Sequence, residues 1–527
     1  MKKSGIFYLG FPLTVIVFAL VFAACIPFEG SIDEVREKAG GGDPVFYGIF
    51  TDIAELGQYL NNFKGSNSKL KPLPIKVGVN LGAMNSITSN WGKLLTVIDV
   101  AGKYVSVDLS TCTLATDKSF YFFDHSIPID RIISIILPDE AESIEPPSFT
   151  PPPFGSIKRV EGRNIKNIGV RVFSEWDNLT EVSFPVVESI NSDAFRHSGL
   201  VEANFDAVTE IKGQAFNWCT NLIRANLPLV TKIGQNAFMN CTNLSTVSIP
   251  SVVYIEDSAF AGCANLSGEI KLPEVKEIGS SVFSGCAITK ADLPVLEKIT
   301  IDAFGNCSKM TSVRFPSTLQ IIGTGNVFVG CTSLVFNLIN NGGSLSTTEN
   351  GEVLVRSGTE LVSYPTAKNG IYLPGILKIG AYALYNCVNL SSVSFPDVTE
   401  ISDGAFSGCT NLETASFPLV ENVGQYVFSY CGKLKDVDFS SITSIGRETF
   451  EHSAGNLSIK MGSAPPQVGP WMFYQVSVSS PITVTVKVPS GDEISYNTSW
   501  QTAFSGVGND GDSGIANANV TIVIQGI

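Results

Sequence analysis

Residues 222–244 read Leu222-Ile223-Arg224-Ala225-Asn226-Leu227-Pro228-Leu229-Val230-Thr231-Lys232-Ile233-Gly234-Gln235-Asn236-Ala237-Phe238-Met239-Asn240-Cys241-Thr242-Asn243-Leu244. Leu222 and Leu244 open two copies of one unit. Working outward from Phe238, phenylalanines of Ala-Phe-like pairs recur at Phe173, Phe195, Phe216, Phe260, Phe283, Phe304 and Phe328, in steps of 21 to 24 residues. The phase resumes at Leu384, Phe406, Phe428 and Phe450 in steps of 22. A fixed period of this length marks a solenoid, and it has to be found before any other motif is read.

Further columns keep the same phase. Three residues after the aromatic one stand Cys219, Cys241, Cys263, Cys286, Cys307, Cys331, Cys387, Cys409 and Cys431. An apolar-Pro pair follows, as in Phe184-Pro185, Leu227-Pro228, Ile249-Pro250, Phe315-Pro316, Phe395-Pro396 and Phe417-Pro418. An Ile-Gly pair comes next, as in Ile233-Gly234, Ile278-Gly279, Ile322-Gly323, Ile379-Gly380 and Ile445-Gly446. The consensus is L-x-x-V-x-F-P-x-V-x-x-I-G-x-x-A-F-x-x-C-x-N.

Each column has a physical reason. L-x-x-V-x-F is a short strand whose Val and Phe share a face, because strand side chains alternate. Proline ends it by removing a ladder donor. V-x-x-I is a second short extended stretch, and the following glycine is expected to allow the turn after it. Ala-Phe and Cys then point back inward. One such coil cannot bury its own apolar face, whereas stacked coils can. The expected fold is therefore a β-rich leucine-rich repeat solenoid of right-handed coils of about 22 residues. A small α/β cap precedes it and a β-rich cap follows it. These columns resemble the BspA-like, or treponemal-type, leucine-rich repeat family over residues 157–456. The resemblance implies a bacterial surface protein. It also implies adhesion to host matrix or plasma proteins, or to other bacteria.

The bulk numbers agree with a folded array. The chain has 527 residues, 44% of them hydrophobic and 16% charged, with 48 glycines. Its formal net charge of −14 repels phosphate backbones, so nucleic acid is not an expected partner. At the N-terminus, Lys2 and Lys3 precede an apolar run from Ile6 to Phe22 that ends in Ala23-Ala24-Cys25. This reads as an export signal. Phe22-Ala23-Ala24-Cys25 resembles a lipobox with Phe where Leu is usual, which makes Cys25 the lipidation candidate and a membrane lipid anchor the expected attachment. An uncleaved helical anchor and simple secretion are the alternatives.

The expected organisation is a signal peptide at 1–24 and a lipid anchor and tether at 25–45. An N-terminal cap with degenerate first repeats occupies 46–156. The repeat solenoid occupies 157–456 with an insert at about 336–371, and a C-terminal cap occupies 457–527. In the N-terminal cap, Thr51–Asn62 and Trp91–Val100 read as helices. Ile75–Val79, Tyr104–Leu109 and Ile132–Leu137 read as strands. Pro146–Pro153 reads as a stiff extended loop. In the insert, residues 351–365 read as two strands around Ser357-Gly358. In the C-terminal cap, Ile482–Val488 and Val520–Ile524 read as strands, and Trp500–Phe504 as a short apolar turn.

Chemistry is hard to find. Export permits disulfides, but the nine column cysteines are odd in number and project in parallel, which suits buried thiols better than bridges. Ser198 and Ser453 take the same column. Three histidines and no C-x-x-C pair give no zinc pattern. His197 and His452 occupy equivalent coil positions, and His125 stands apart. Gly323-Thr324-Gly325 belongs to a repeat turn, and Asp510-Gly511-Asp512 lacks the rest of a calcium loop. No catalytic residues, metal ligands or cofactors are therefore expected, and the chain does not read as an enzyme.

Binding is the remaining class. The residue just before the Phe column points outward from each strand. It reads Ser183, Asn204, Asn226, Ser248, Lys271, Asp292, Arg314, Ser394, Ser416 and Asp438, one polar stripe along the solenoid. The expected function is a cell-surface, adhesin-type lipoprotein that binds a protein partner through this face. That partner would be a host matrix or plasma protein, or another bacterial surface protein. A periplasmic or envelope scaffold with an internal partner is the alternative.

Overall fold

The computed structural model describes residues 48–496 and 520–527, apart from Asn85, 116–117, 123–129, 146–154, 323–324, Asn341, 454–455, 470–471, 474–481 and Ile494. The leader, Cys25 and its tether, His125, the proline-rich loop, Gly323-Thr324, the 500–504 turn and Asp510–Asp512 lie outside the described residues.

The chain winds as a β-solenoid of about 15 turns, and each coil has three sides. The first side carries the L-x-x-V-x-F strands. Arg224–Asn226 pairs in parallel with Glu202–Asn204 before it and Thr246–Ser248 after it, residue for equivalent residue. These parallel strands group into sheets of six, three, four and seven, from Ile49–Phe50 to Val520–Gly526. The second side carries the strands that contain the repeat isoleucines. Ten of them stack in parallel from Ser119–Tyr121 to Gln320–Ile322. A second set runs to Gln467–Val468. Parallel pairing at a constant offset is what an unchanging repeat length imposes.

The third side carries the Ala-Phe-x-x-Cys turns. Phe238 is fully buried, and its N–H donates to the carbonyl of Ala259 in the next coil at 2.7 Å. The rings therefore stack at the strand spacing. Phe216–Phe238 and Phe238–Phe260 have centroids 4.9 and 5.2 Å apart with nearly parallel planes. Burying each such ring stabilises the fold by roughly 2–3 kcal/mol. The turn itself uses two left-handed residues per coil, one just before the Ala and one just before the Cys. In the quoted coil they are Asn236 and Asn240, at φ 56° and 60°.

Two expectations change here. Gly234 and Gly446 of the Ile-Gly column do not sit in the left-handed region. A Cβ at Gly234 would lie 2.7 Å from the nitrogen of Gly213, and one at Gly446 would lie 2.4 Å from the carbonyl carbon of Gly424. Glycine is needed for the close approach of successive coils, not for the turn. The column cysteines are buried and unpaired, but they are more than small apolar fillers. Each thiol donates to the carbonyl of the aromatic-column residue one coil back. Examples are Cys219 to Phe195 at 2.9 Å and Cys307 to Phe283 at 3.1 Å. Ser453 makes the same bond to Phe428 at 2.6 Å.

At the N-terminal end, helix α1 (Ile53–Asn62) buries Ile53, Leu56 and Leu60, and helix α2 (Asn90–Ala101) buries Trp91, Leu94 and Ile98. Strands Leu73–Val77, Val105–Asp108 and Ile132–Ile136 join the first side directly. Past residue 456 the winding continues. Phe473 stacks on Phe450 at 5.5 Å, and Ile482–Val488 pairs with Leu457–Met461.

The interruption is a three-stranded antiparallel unit. Leu345–Thr348 turns through Glu349–Gly351 into Val353–Arg356, which turns through Ser357 and Gly358, both at positive φ, into Glu360–Ser363. Glu360–Ser363 then pairs in parallel with Lys378–Ile379 and restarts the second side. Tyr364 takes the aromatic-column position, since its N–H donates to the carbonyl of Ala383 and its own carbonyl accepts the Cys387 thiol. Ser363-Tyr364 in place of Ala-Phe hid this coil from the period. The buried apolar residues divide at this unit into two clusters, one ending at Leu354 and one beginning at Val353.

Candidate functional site

The polar stripe lies on the first side. Strand register brings its members together in three groups. Asn204, Asn226 and Ser248 are in line, as are Lys271, Asp292 and Arg314, and as are Ser394, Ser416 and Asp438. Ser183 stands in the N-terminal sheet, opposite Glu161. Ser183, Asn204, Ser248, Lys271 and Arg314 are exposed, and the other five are half-buried.

The stripe is partly self-neutralised. Arg314 pairs with Asp292 at 2.9 Å, Lys271 with Glu269 at 3.3 Å, and Asp438 with Lys460 at 3.1 Å. Exposed pairs of this kind contribute little stability. They do set a fixed pattern of charge along the face.

Sequence reasoning missed neighbours in the same line. Tyr372 lies opposite Ser394 and is 65% exposed. Lys460 and Lys487 extend the line beyond Asp438. Tyr372 escaped notice because it follows the insert, and Lys487 because it lies past the visible repeats. Around Ser416, Asp438, Lys460 and Lys487 the face sinks into a shallow cleft of about 250 Å³.

The second side carries its own charge pattern in the residues within two positions of its buried column residue. Lys232 pairs with Glu256 at 2.7 Å, Lys298 with Glu277 at 2.8 Å, and Lys378 with Glu400 at 2.7 Å. At its N-terminal end Glu142 lies between Lys118 and Lys166. Hydrogen bonds from the two ammonium groups, with their charges, pull its carboxyl down to about 2.

The third side presents the left-handed position before the Cys. Gly262, Gly285, Asn306 and Gly408 suit that backbone. At four coils it holds His197, Trp218, Tyr430 and His452 instead, at φ between 50° and 61°. His197 stacks on Trp218 at 5.8 Å, and His452 on Tyr430 at 4.6 Å. The two histidines are therefore members of surface aromatic pairs at the coil corner. The sequence gives no signal for this, because the position is one of the variable ones.

Among the described residues no cluster of three or more His, Cys, Asp or Glu could hold a metal ion. No described helix is long and apolar enough to cross a membrane.

Known proteins place the chain. Its structure is similar to that of a leucine rich cell surface protein from Faecalibacterium prausnitzii, with 24% identity, 73% of this chain and 88% of that one covered, and a TM-score of 0.45. It is also similar to a leucine-rich repeat protein from Bacteroides ovatus, with 18% identity, coverage of 77% and 87%, and a TM-score of 0.47. The pneumococcal vaccine antigen PcpA is similar at 19% identity, with coverage of 62% and 89% and a TM-score of 0.46. No curated protein matches the sequence. The family model of the BspA type leucine rich repeat region matches six copies across residues 121–223, 142–267, 231–348 and 371–497. This family suggests a protein-binding scaffold. With the greater part of its length matched, the chain belongs to the BspA-type leucine-rich repeat family.

Proposed function

We propose that the chain is an exported, lipid-anchored scaffold at the bacterial cell surface that binds a protein partner along the first side of its solenoid. The observation that carries this reading is the in-register polar line. Equivalent residues of successive coils face outward at a constant spacing, and the apolar side chains are committed to the interior. A long, rigid, polar face suits an extended protein contact better than a small substrate. Exposed Tyr372 supplies an aromatic anchor of the kind that concentrates binding energy. The leader and Cys25 support export and lipidation.

The test is direct. Purified protein lacking residues 1–25 is titrated against immobilised matrix and plasma proteins. Replacement of Asn226, Arg314, Tyr372 and Asp438 by alanine should weaken capture by roughly tenfold or more and leave the melting temperature unchanged. Equal capture by both forms would defeat the stripe as the contact. Protease treatment of intact cells separates surface display from the envelope scaffold with an internal partner. A protected solenoid would rule out the surface role.

A further inference from the structure

The N-terminal cap carries a surface whose charge runs against that of the molecule. Lys64, Lys69, Lys71, Lys103 and Arg131 gather at one corner. There helices α1 and α2 end, and strands Leu73–Val77, Val105–Asp108 and Ile132–Ile136 begin. Polar and ring contacts hold the corner together. The Asn67 amide donates to the Tyr104 carbonyl and accepts from the Tyr104 N–H, both at 2.7 Å. Lys69 and Arg131 lie over the Tyr104 ring at 5.8 and 4.8 Å, and Lys103 lies over the Phe63 ring at 5.9 Å.

Two properties set this corner apart. The first is free positive charge. Among the described residues none of the five cations makes an ion pair, whereas Lys76 of the same cap pairs with Asp108 at 3.4 Å. Lys166, Lys232, Lys298 and Lys378 of the second side are all paired as well. Asp99 and Asp130 adjoin the five cations in sequence, so five positive charges stand against two negative ones. Asp52 and Glu55 lie at the opposite end of α1. The second property is bare apolar surface. Leu70, between Lys69 and Lys71, is 90% exposed, and Val100, three residues before Lys103, is 73% exposed. They are the two most exposed large apolar side chains among the described residues. One exposed leucine is ordinary. Two such side chains set among unpaired cations match a surface that is negative outside and apolar just beneath.

An anionic lipid bilayer has that build. Its headgroups attract lysine and arginine, and its acyl boundary accepts leucine and valine. The chain as a whole carries −14, so the remainder of the molecule is repelled by the same membrane and the basic corner is turned toward it. Only residues 26–47 separate Cys25 from Gly48, the first described residue, which keeps the cap near any membrane that holds Cys25. We infer that the N-terminal cap docks on an anionic lipid surface through Lys64, Lys69, Leu70, Lys71, Val100 and Lys103. This contact fixes which end of the acidic solenoid meets the membrane.

Every described element and both apolar clusters begin after residue 48, so the test uses the chain from residue 26 onward. That form excludes any lipid on Cys25 from the measurement. Co-sedimentation compares vesicles of phosphatidylcholine alone with vesicles of phosphatidylcholine and phosphatidylglycerol in equal parts. The protein should pellet with the anionic vesicles only, and less as salt is raised. Lys64→Gln, Lys69→Gln and Lys71→Gln should each weaken binding roughly fivefold. Leu70→Ser should weaken it roughly tenfold. Lys290→Gln, at an exposed lysine of the first side, should leave binding unchanged, and all five variants should keep the melting temperature. Failure to pellet with either vesicle overturns the proposal, as does equal pelleting with both, or binding indifferent to the corner variants. Capture of an acidic protein by this corner, in a chain that ignores vesicles, would assign it to a protein contact and also overturn the proposal. The tested form lacks Cys25 and keeps the polar stripe intact, so its failure is distinguishable from failure of the lipid anchor or of the first-side contact.

Discussion

At the scale of single residues, the cysteine column shows how one side chain can serve both packing and polarity. Cys307 fills the interior under Phe304, and its thiol donates to the carbonyl of Phe283 at 3.1 Å. Burial pushes its pKa from an ordinary 9.0 up to about 12. The thiolate is the reactive form, so the folded protein should resist alkylation. At pH 8.5, labelling of Cys307 by iodoacetamide should proceed only at the rate of unfolding. Rapid modification of the native chain would show that the column is open to solvent. A raised pKa also fixes the sign of the pH effect. The unfolded thiol ionises near 9 while the folded one stays neutral, so this contribution is intact below pH 9 and is lost as pH rises toward 12. Cys307→Ala removes one of two donors to the Phe283 carbonyl, which keeps the Cys286 N–H at 3.0 Å, so the lost bond should cost about 1 kcal/mol in urea unfolding. Cys307→Ser should recover most of that, since Ser453 already makes the same bond at its own coil.

At the scale of elements, the two strand-bearing sides differ in what fixes their charges. On the second side Lys and Glu often stand within two positions of the buried column residue, and neighbouring coils pair them. The strongest case is Glu142 between Lys118 and Lys166. Its carboxyl is held near 2 against an ordinary 4.5, and the sign follows from that. A depressed carboxylate stabilises the fold above about pH 4.5 and loses that contribution as pH falls toward 2. Replacing Lys118 and Lys166 with Met should return the Glu142 titration, followed by NMR, to the ordinary carboxylate range. An unmoved titration would show that the lysines are not its cause. These charges gain meaning only when register sets residues 21 to 24 apart side by side. The stripe was more legible, because strand alternation alone places Asn226 and Arg314 outside. The Trp218–His197 pair was not legible, because its residues occupy variable positions of the repeat and meet through a left-handed backbone. Tyr364 was hidden for a related reason, since Ser363-Tyr364 replaces the Ala-Phe pair.

At the scale of the whole molecule, the stacked rings and strands make stability a sum over coils and their contacts with neighbours. That sum has one weak point. Both strand-bearing sides restart at the insert, and the apolar interior divides there into two clusters. Across the seam runs a polar clasp. Asn326, 4% exposed, accepts from the Ser363 hydroxyl at 2.9 Å and donates to the Tyr382 carbonyl at 3.2 Å. A few hydrogen bonds replace the continuous apolar contact found elsewhere, so the two blocks should unfold with partly independent midpoints. The cysteines report on each block separately: Cys219 to Cys331 lie before the seam, and Cys387 to Cys431 after it. Phe238→Ala, which costs roughly 3–5 kcal/mol in a packed core, should expose the first group of thiols to pulsed alkylation at lower urea and leave the second group protected. Asn326→Ala should widen the gap between the two midpoints by weakening the link. Simultaneous labelling of the nine column thiols in both variants would mean that the seam transmits as well as any ordinary coil contact. The insert would then be an ornament on one cooperative body, not a boundary within it.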